Sequence, residues 1–467
     1  MLRRRYYNNT SFFPWKFSIY IFLFIVLISV PLFIFLALHH NHSILAHIKV
    51  NATVTVNLSS PDMVSQFATG ITHTQNDNAL GTNKSAIAAE KKLIQSSAVI
   101  ENVPLMGWGS PDPEPAPGQY SWGVLDSRIE FMHDTGTTEM ITLCCAPGWM
   151  RPSQYTDDWQ YLETAPSPAH YQDFADLAKQ VAERYPEVKY FQVWNELKGF
   201  YDASTNQWDY AGYTTLYNMV YDAIKSVRPD AKIGGPYISI DNWSTTNAGG
   251  WPAHDSALYN QPWGTIDQRS LDVISYWLAH KDGADFIIID GGTGTKDGTW
   301  TTDEFTAANY FPAIYQWIRQ QPDGGATLPI GWAEWYPSTP QNYTNINHYN
   351  AVLAYDLIVT LKSGYWYALL WGTQGDKQGL NAFPASIMTS NGQPTPEYYT
   401  LRAFKDCFGA GTKLYKTSSS SPAITAIASD KKTMLVNHLG TTQVVRVNSV
   451  TVILNGYQVL IMNTPDA

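Results

Sequence analysis

Only three of the 467 residues are cysteine, Cys144, Cys145 and Cys407, too few for a disulfide framework to replace a core in a chain of this size. Their spacing matches no metal-ligand pattern, and adjacent cysteines rarely bridge each other. All three therefore read as structural, with Cys144 and Cys145 as small apolar residues on a buried strand. Charge is scarce too: 15% of residues are charged against 44% hydrophobic, the reverse of the balance that keeps a chain disordered. The charge present is mostly acidic, 40 residues against 30 basic ones for a formal net charge of -10, which disfavours nucleic acid as a partner and accepts a neutral or cationic substrate more easily. No phosphate-cradling glycine motif, serine elbow or Cys/His ligand spacing is present, so neither a cofactor nor a metal is expected. The cluster His39-His40-Asn41-His42 reads as a polar flank to the apolar run before it.

That run, residues 17–38, is an uncharged, apolar stretch of 22 residues, and at about 1.5 Å per residue it is long enough to cross a bilayer as a helix. A cleaved signal peptide has a shorter apolar core and small residues at the cut, which Leu38-His39-His40 does not supply. The sequence thus predicts a basic cytoplasmic amino terminus over 1–16, with Arg3, Arg4, Arg5 and Lys16, and a transmembrane signal anchor over 17–38. The rest lies outside the cell or in a lumen, the alternative being secretion after cleavage. Sequons at Asn51, Asn57, Asn83, Asn242 and Asn342 suit that side of the membrane. Residues 39–62, rich in Ser, Thr and Asn, read as a stalk without a core.

Over 63–409, short apolar segments at 66–72, 100–106, 140–145, 188–194, 232–236, 284–289, 329–333 and 365–370 alternate with helical patterns at 86–95, 124–135, 170–185, 213–227, 266–280, 307–320 and 349–361. Alternation argues for a parallel sheet with helical crossovers, and eight strands close a (β/α)8 TIM barrel. A last helix at 396–408 stops at Gly409 and Gly411. Residues 410–467 change to alternating segments at 423–428, 433–438, 443–447 and 450–455, with a turn at Ser418-Ser419-Ser420-Ser421 and a tight hairpin at Asn455-Gly456. This predicts a small C-terminal all-β domain packed against the barrel.

In such a barrel the working residues lie just past the strands. Two carboxylates stand out there: the fourth strand runs into Trp194-Asn195-Glu196, and the seventh ends Trp332-Ala333-Glu334-Trp335-Tyr336. A surface charge or a helix-capping Glu is the ordinary reading of either alone. Tryptophan neighbours make an idle charge costly, yet they suit a raised carboxyl pKa and stacking on a sugar ring. Cleaving a glycoside takes such a pair, one carboxyl to protonate the departing oxygen and one to attack the anomeric carbon.

These motifs resemble the large clan of retaining barrel glycosidases. Within it, Gly118-Gln119-Tyr120-Ser121-Trp122, Leu125-Asp126 and Thr142-Leu143-Cys144-Cys145-Ala146-Pro147-Gly148-Trp149 are similar to glycoside hydrolase family 39, which includes β-xylosidases and α-L-iduronidases. The resemblance implies that Glu196 is the acid/base, that Glu334 is the nucleophile and that Asn195 hydrogen-bonds the sugar 2-hydroxyl. It also implies that Trp371, at the end of the eighth strand, is an aromatic floor. The chain departs from the family in having Leu197-Lys198 where a Pro commonly follows the acid/base. Further substrate-binding candidates are Trp108, Trp149, Trp332 and Trp335 as platforms, and His73, Tyr237 and Asp290 past the first, fifth and sixth strands. Glu114, in a Pro-rich loop, reads as surface charge. The expected partners are a carbohydrate and, through the amino-terminal helix, a membrane. A glycan-binding barrel without catalysis and a transglycosylase on the same scaffold are the alternatives.

Overall fold

A computed structural model describes residues 49–75, 77, 83–152, 159–244, 255–338, 345–374 and 386–466. The predicted anchor and histidine cluster lie outside them, and among the described residues no helix is long and apolar enough to cross a membrane. Eight strands alternate with helices: Ala68–Thr72, Ile100–Pro104, Thr138–Leu143, Tyr190–Val193, Lys232–Ser239, Phe286–Gly292, Ile330–Tyr336 and Tyr367–Trp371. They close into a barrel in that order, the eighth pairing in parallel with the first. Each overlaps its predicted segment because a parallel strand buried on both faces leaves a continuous apolar run in the sequence. The crossover helices start where the sequence offers caps, as with Asn83, Asp209 and Asn345, whose side chains accept from backbone N–H groups of the first turn. One predicted helix is broken. The pattern over 307–320 forms Glu304–Ala307 and Tyr310–Arg319, because in a continuous helix the ring of Pro312 would meet the carbonyl four residues earlier, at the break.

Large side chains fill the lower barrel, among them Ile100, Met140, Phe286, Ile288, Tyr367 and Leu369. Gly331 and Gly234 make room for two of them: a Cβ would lie 2.2 Å from the Tyr367 ring and 2.3 Å from the Phe286 ring. A polar belt crosses five strands from there, with Tyr367 donating to Gln192, Gln192 to Thr142, Thr142 to Asn102 and Asn102 to Thr72, at 2.9–3.1 Å. No buried polar group in the chain of bonds is left without a partner, which keeps the barrel wall rigid below the mouth.

The predicted stalk is overturned from Ala52 onward. Ala52–Val64 is a strand of a seven-stranded sheet, antiparallel to Lys413–Ser419 and parallel to Gln443–Val447. Its alternation buries Ala52, Val54 and Val56 with Ile424, Leu435, Val445 and Leu454 while Thr53 and Thr55 face solvent. The other face joins the barrel core through Leu414, Ile427, Met434 and Val436, so the β domain packs on the barrel as expected. Asn455-Gly456 does not make the predicted hairpin. The strands on either side of it, Val450–Leu454 and Val459–Asn463, lie on opposite edges of the sheet, and so short a link requires the sheet to curl. Cys144 and Cys145, buried as predicted, are joined by a disulfide across a cis peptide rather than left as thiols.

Candidate active site

Two local irregularities aim side chains into the barrel mouth. On the seventh strand, Trp332 pairs with Ile289 and Glu334 with Asp290, so Ala333 is bulged. Ala333 and Glu334 thus face inward in succession while Trp332 and Trp335 face out. On the fifth strand a second register shift skips Tyr237, whose φ is 49°, and the Tyr237 hydroxyl donates to Glu334 Oε1 at 2.8 Å. The other Glu334 oxygen accepts from Tyr336. Past the fourth strand, Trp194, Glu196 and Leu197 all have left-handed backbone, at φ 73°, 47° and 51°. This tight turn is held by Trp194 Nε1 donating to the Lys198 carbonyl at 2.7 Å, and such backbone in non-glycine residues marks a site whose surroundings over-determine it.

Glu196, Asp290 and Glu334 converge so that one oxygen of each lies within 4.8 Å of the others. Asp290 and Glu334 are 1% and 4% exposed. Lys198, 46% exposed, pairs with Glu196 and, at 3.1 Å, with Glu163 Oε1. Lys296 pairs with Asp241 at 3.0 Å. The spacing of the trio would suit a divalent cation, and the chain supplies its own compensation through lysine and phenol groups. Burial and then the charges of Glu196 and Glu334 push the Asp290 carboxyl well above its usual range. Burial and the Glu196 charge push Glu334 up to about 8, against the pull of the Tyr336 and Tyr237 hydroxyls. Burial would raise Glu196 as well. The hydrogen bond from Asp290 and the Lys198 and Lys296 charges outweigh it and hold Glu196 below the ordinary value. Glu163 is raised by burial, with Lys198 and Asn195 opposing.

The structure therefore brings together Glu196, Glu334, Asp290 and Tyr237 of the predicted residues. Asn195 stands beside them with its Nδ2 donating to Glu163 at 2.8 Å. Trp371 and Trp108, both half-buried, meet edge to face at 5.3 Å. Trp149 donates to the Glu114 carbonyl at 2.8 Å and touches His170 edge-on.

Three predicted site residues are elsewhere. Trp332 and Trp335 face outward into the layer around Phe311, for the bulge reason above. His73 continues the alternation of the first strand, with Thr72 inward, and so points out of the barrel. It lies buried between Asp77 at 2.9 Å and Glu101 at 2.8 Å, against Phe131. Burial alone would lower it, but hydrogen bonds to the two carboxylates raise its pKa to about 10, making it a structural imidazolium. Glu114 is also not a surface charge: it is buried and accepts from the Gly118 N–H at 2.7 Å. The sequence reading missed Glu163, Lys198, Asp241, Lys296 and Tyr336. Of these, Tyr336 carries a positional signal, standing two residues past Glu334 and so on the same face of a strand, and Lys198 shows only as a departure from the family pattern.

The family model for glycosyl hydrolases family 39 matches residues 111–363, more than half of the chain. The chain belongs to that family. A β-xylosidase from Caldicellulosiruptor saccharolyticus is 31% identical over 134 residues, 27% of this chain and 26% of the relative, so the match spans about a quarter of that curated protein's length. Among solved structures, a monomeric β-xylosidase from Caulobacter crescentus superposes with a TM-score of 0.58 at 15% identity, over 85% of this chain and 83% of its own. SrfJ from Salmonella typhimurium does so with a TM-score of 0.55 at 13% identity, over 89% and 94%. These likenesses establish a shared fold of barrel plus β domain.

Proposed function

We propose that this family 39 chain is a retaining O-glycoside hydrolase in which Glu334 attacks the anomeric carbon and Glu196 serves as acid and then base. The observation that carries the reading is the approach of the two carboxyls, with oxygens within 4.8 Å. An inverting enzyme holds them about 6.5–9.5 Å apart to admit a water, whereas double displacement needs about 5–5.5 Å. Glu196 donates a proton to the departing oxygen as Glu334 forms a glycosyl ester. Glu196 then takes a proton from the water that releases it. The half-buried Trp371 and Trp108 rings are the candidate platform for the sugar, as aromatic faces stack on pyranoses.

The Caldicellulosiruptor relative is a β-xylosidase, which makes a β-xyloside the first substrate to try, as part of an oligo- or polysaccharide outside the cell. A panel of nitrophenyl β-xyloside, β-glucoside, β-galactoside and α-arabinoside ranks the sugars. Glu334→Ala is expected to abolish turnover of the best of them, and azide to restore it as a glycosyl azide of inverted configuration. Undiminished hydrolysis by that variant would end the assignment. The membrane anchor over 17–38 belongs to the same proposal, with residues 39–51 as its connection. Release of activity from washed membranes by protease, and not by high salt, is the expected result.

A further inference from the structure

The mechanism above uses two carboxyls, but a third converges on them. Asp290 ends the run Ile287-Ile288-Ile289 on the sixth strand and faces both Glu196 and Glu334. It is 1% exposed, and its Oδ2 is buried without a hydrogen-bond partner. Neither lysine of the site serves it, since Lys198 pairs with Glu196 and Glu163 and Lys296 with Asp241. Three bare carboxylates at such distances, two of them buried, repel strongly, so at least one must keep a proton. Asp290 and Glu196 bring their oxygens within 4.8 Å of each other, and two carboxylates are both acceptors, so a hydrogen bond between them requires a proton.

We propose that Asp290 is a positioning residue that stores, in the substrate-free site, the proton that Glu196 delivers to the leaving group. The proposal rests on the roles given above to Glu196 and Glu334. In the first step Glu196 takes up the Asp290 proton and passes it on to the glycosidic oxygen, and the bond from that oxygen to the anomeric carbon breaks. A bond forms from Glu334 to the same carbon. Before the step Asp290 is neutral and Glu196 and Glu334 are anions. After it Glu334 is a neutral ester and Asp290 and Glu196 are anions. The charge of the trio is unchanged, and the anion that had kept Asp290 protonated has disappeared as the ester formed. In the second step the proton released by the attacking water returns through Glu196 to Asp290, and Glu334 becomes a carboxylate again.

The other titratable groups bear on this proton in a definite sense. Burial holds it on Asp290, Glu196 and Glu334 add to that hold, and Lys198 opposes it. Lys296 also faces Asp290, with its own charge shared with Asp241. Tyr237, Tyr336 and Tyr310 lie within electrostatic reach and stay neutral, their hydroxyls raised well above the usual value by burial. Glu163 acts indirectly, as the second partner of Lys198.

Asp290→Asn keeps the shape and a hydrogen-bond donor but removes the transferable proton. Its kcat/KM on a methyl glycoside, whose leaving group needs protonation, is expected to fall about 100-fold or more. On a dinitrophenyl glycoside, which departs unassisted, it should fall less than about tenfold. The alkaline limb of its pH profile should move down by about one unit or more, because Glu196 then holds its proton without a carboxyl to share it. Asp290→Glu should recover part of the methyl glycoside rate. Equal losses on both substrates with an unmoved limb would overturn the proposal. If Asp290→Asn does not fold, judged by its melting temperature, Asp290→Ser takes its place in the same comparison. Glu196→Gln separates the two levels of the reading: leaving-group dependence in that variant but not at Asp290 rejects only the proton store, and none in either rejects the assignment of Glu196.

Discussion

At the end of the fourth strand, Glu196 leans on charge: a lysine that also holds Glu163, a hydrogen bond from Asp290, and partial exposure at 15% of its side chain. At the end of the seventh, Glu334 is buried and held by two neutral phenols, Tyr237 and Tyr336. The same residue type thus receives two kinds of support. Partners that carry charge and reach solvent suit a group that changes its protonation twice per turnover. Fixed hydroxyls in a dry wall suit one that must form and break a bond at a set position. The difference between the carboxyls lies in their neighbours rather than in their own sequence motifs.

The largest effect that would sharpen this contrast is expected at Glu196. Glu196→Ala should lower kcat/KM about 10²–10⁴-fold on unactivated glycosides and far less on dinitrophenyl glycosides, as read from a leaving-group series. A uniform loss would erase the distinction between the two ends. A smaller effect is expected at the phenols. Glu334 must be ionised to attack, and its pKa is raised to about 8, so kcat/KM should climb with pH until about 8. Tyr336→Phe removes a donor to the carboxylate, raises that pKa further, and should move the ascending limb up by about one unit, costing about tenfold at neutral pH. A limb that stays in place would show that the phenols do not support the anion. The smallest change is expected at Lys198, half in solvent. Lys198→Met removes the cation that keeps Glu196 ionised, so the descending limb should shift to higher pH, with only a few-fold change in rate near neutrality. A downward shift would contradict the pairing.

The barrel is legible because its strands are uninterrupted apolar runs between capped helices, and the positions of Glu196 and Glu334 follow from counting them. The site around them is less so. Lys198 is visible in the sequence only as a departure from the family pattern, and nothing in a linear reading says that its side chain folds back on Glu196. That depends on left-handed backbone at three of the four residues 194–197. Trp332 and Trp335 mislead for a related reason: a bulge at Ala333 changes which side chains share a face, and a bulge leaves no mark in composition. The strand Ala52–Val64 was hidden by its Ser, Thr and Asn content. Its alternation of Ala52, Val54 and Val56 with Thr53, Thr55 and Asn57 was present throughout and is the more reliable signal, because period reports burial where composition reports only average polarity.

That strand has a consequence for how the chain is made. It emerges from the ribosome ahead of the whole barrel, while its partners, Ser419 opposite Val54 on one side and Val447 opposite Val54 on the other, are synthesised after it. Until those partners are made its edges stay open, an interval in which other chains compete for them. The barrel therefore grows beside an unfinished sheet, and both edges of this strand are covered only once the segments 413–419 and 443–447 have been made.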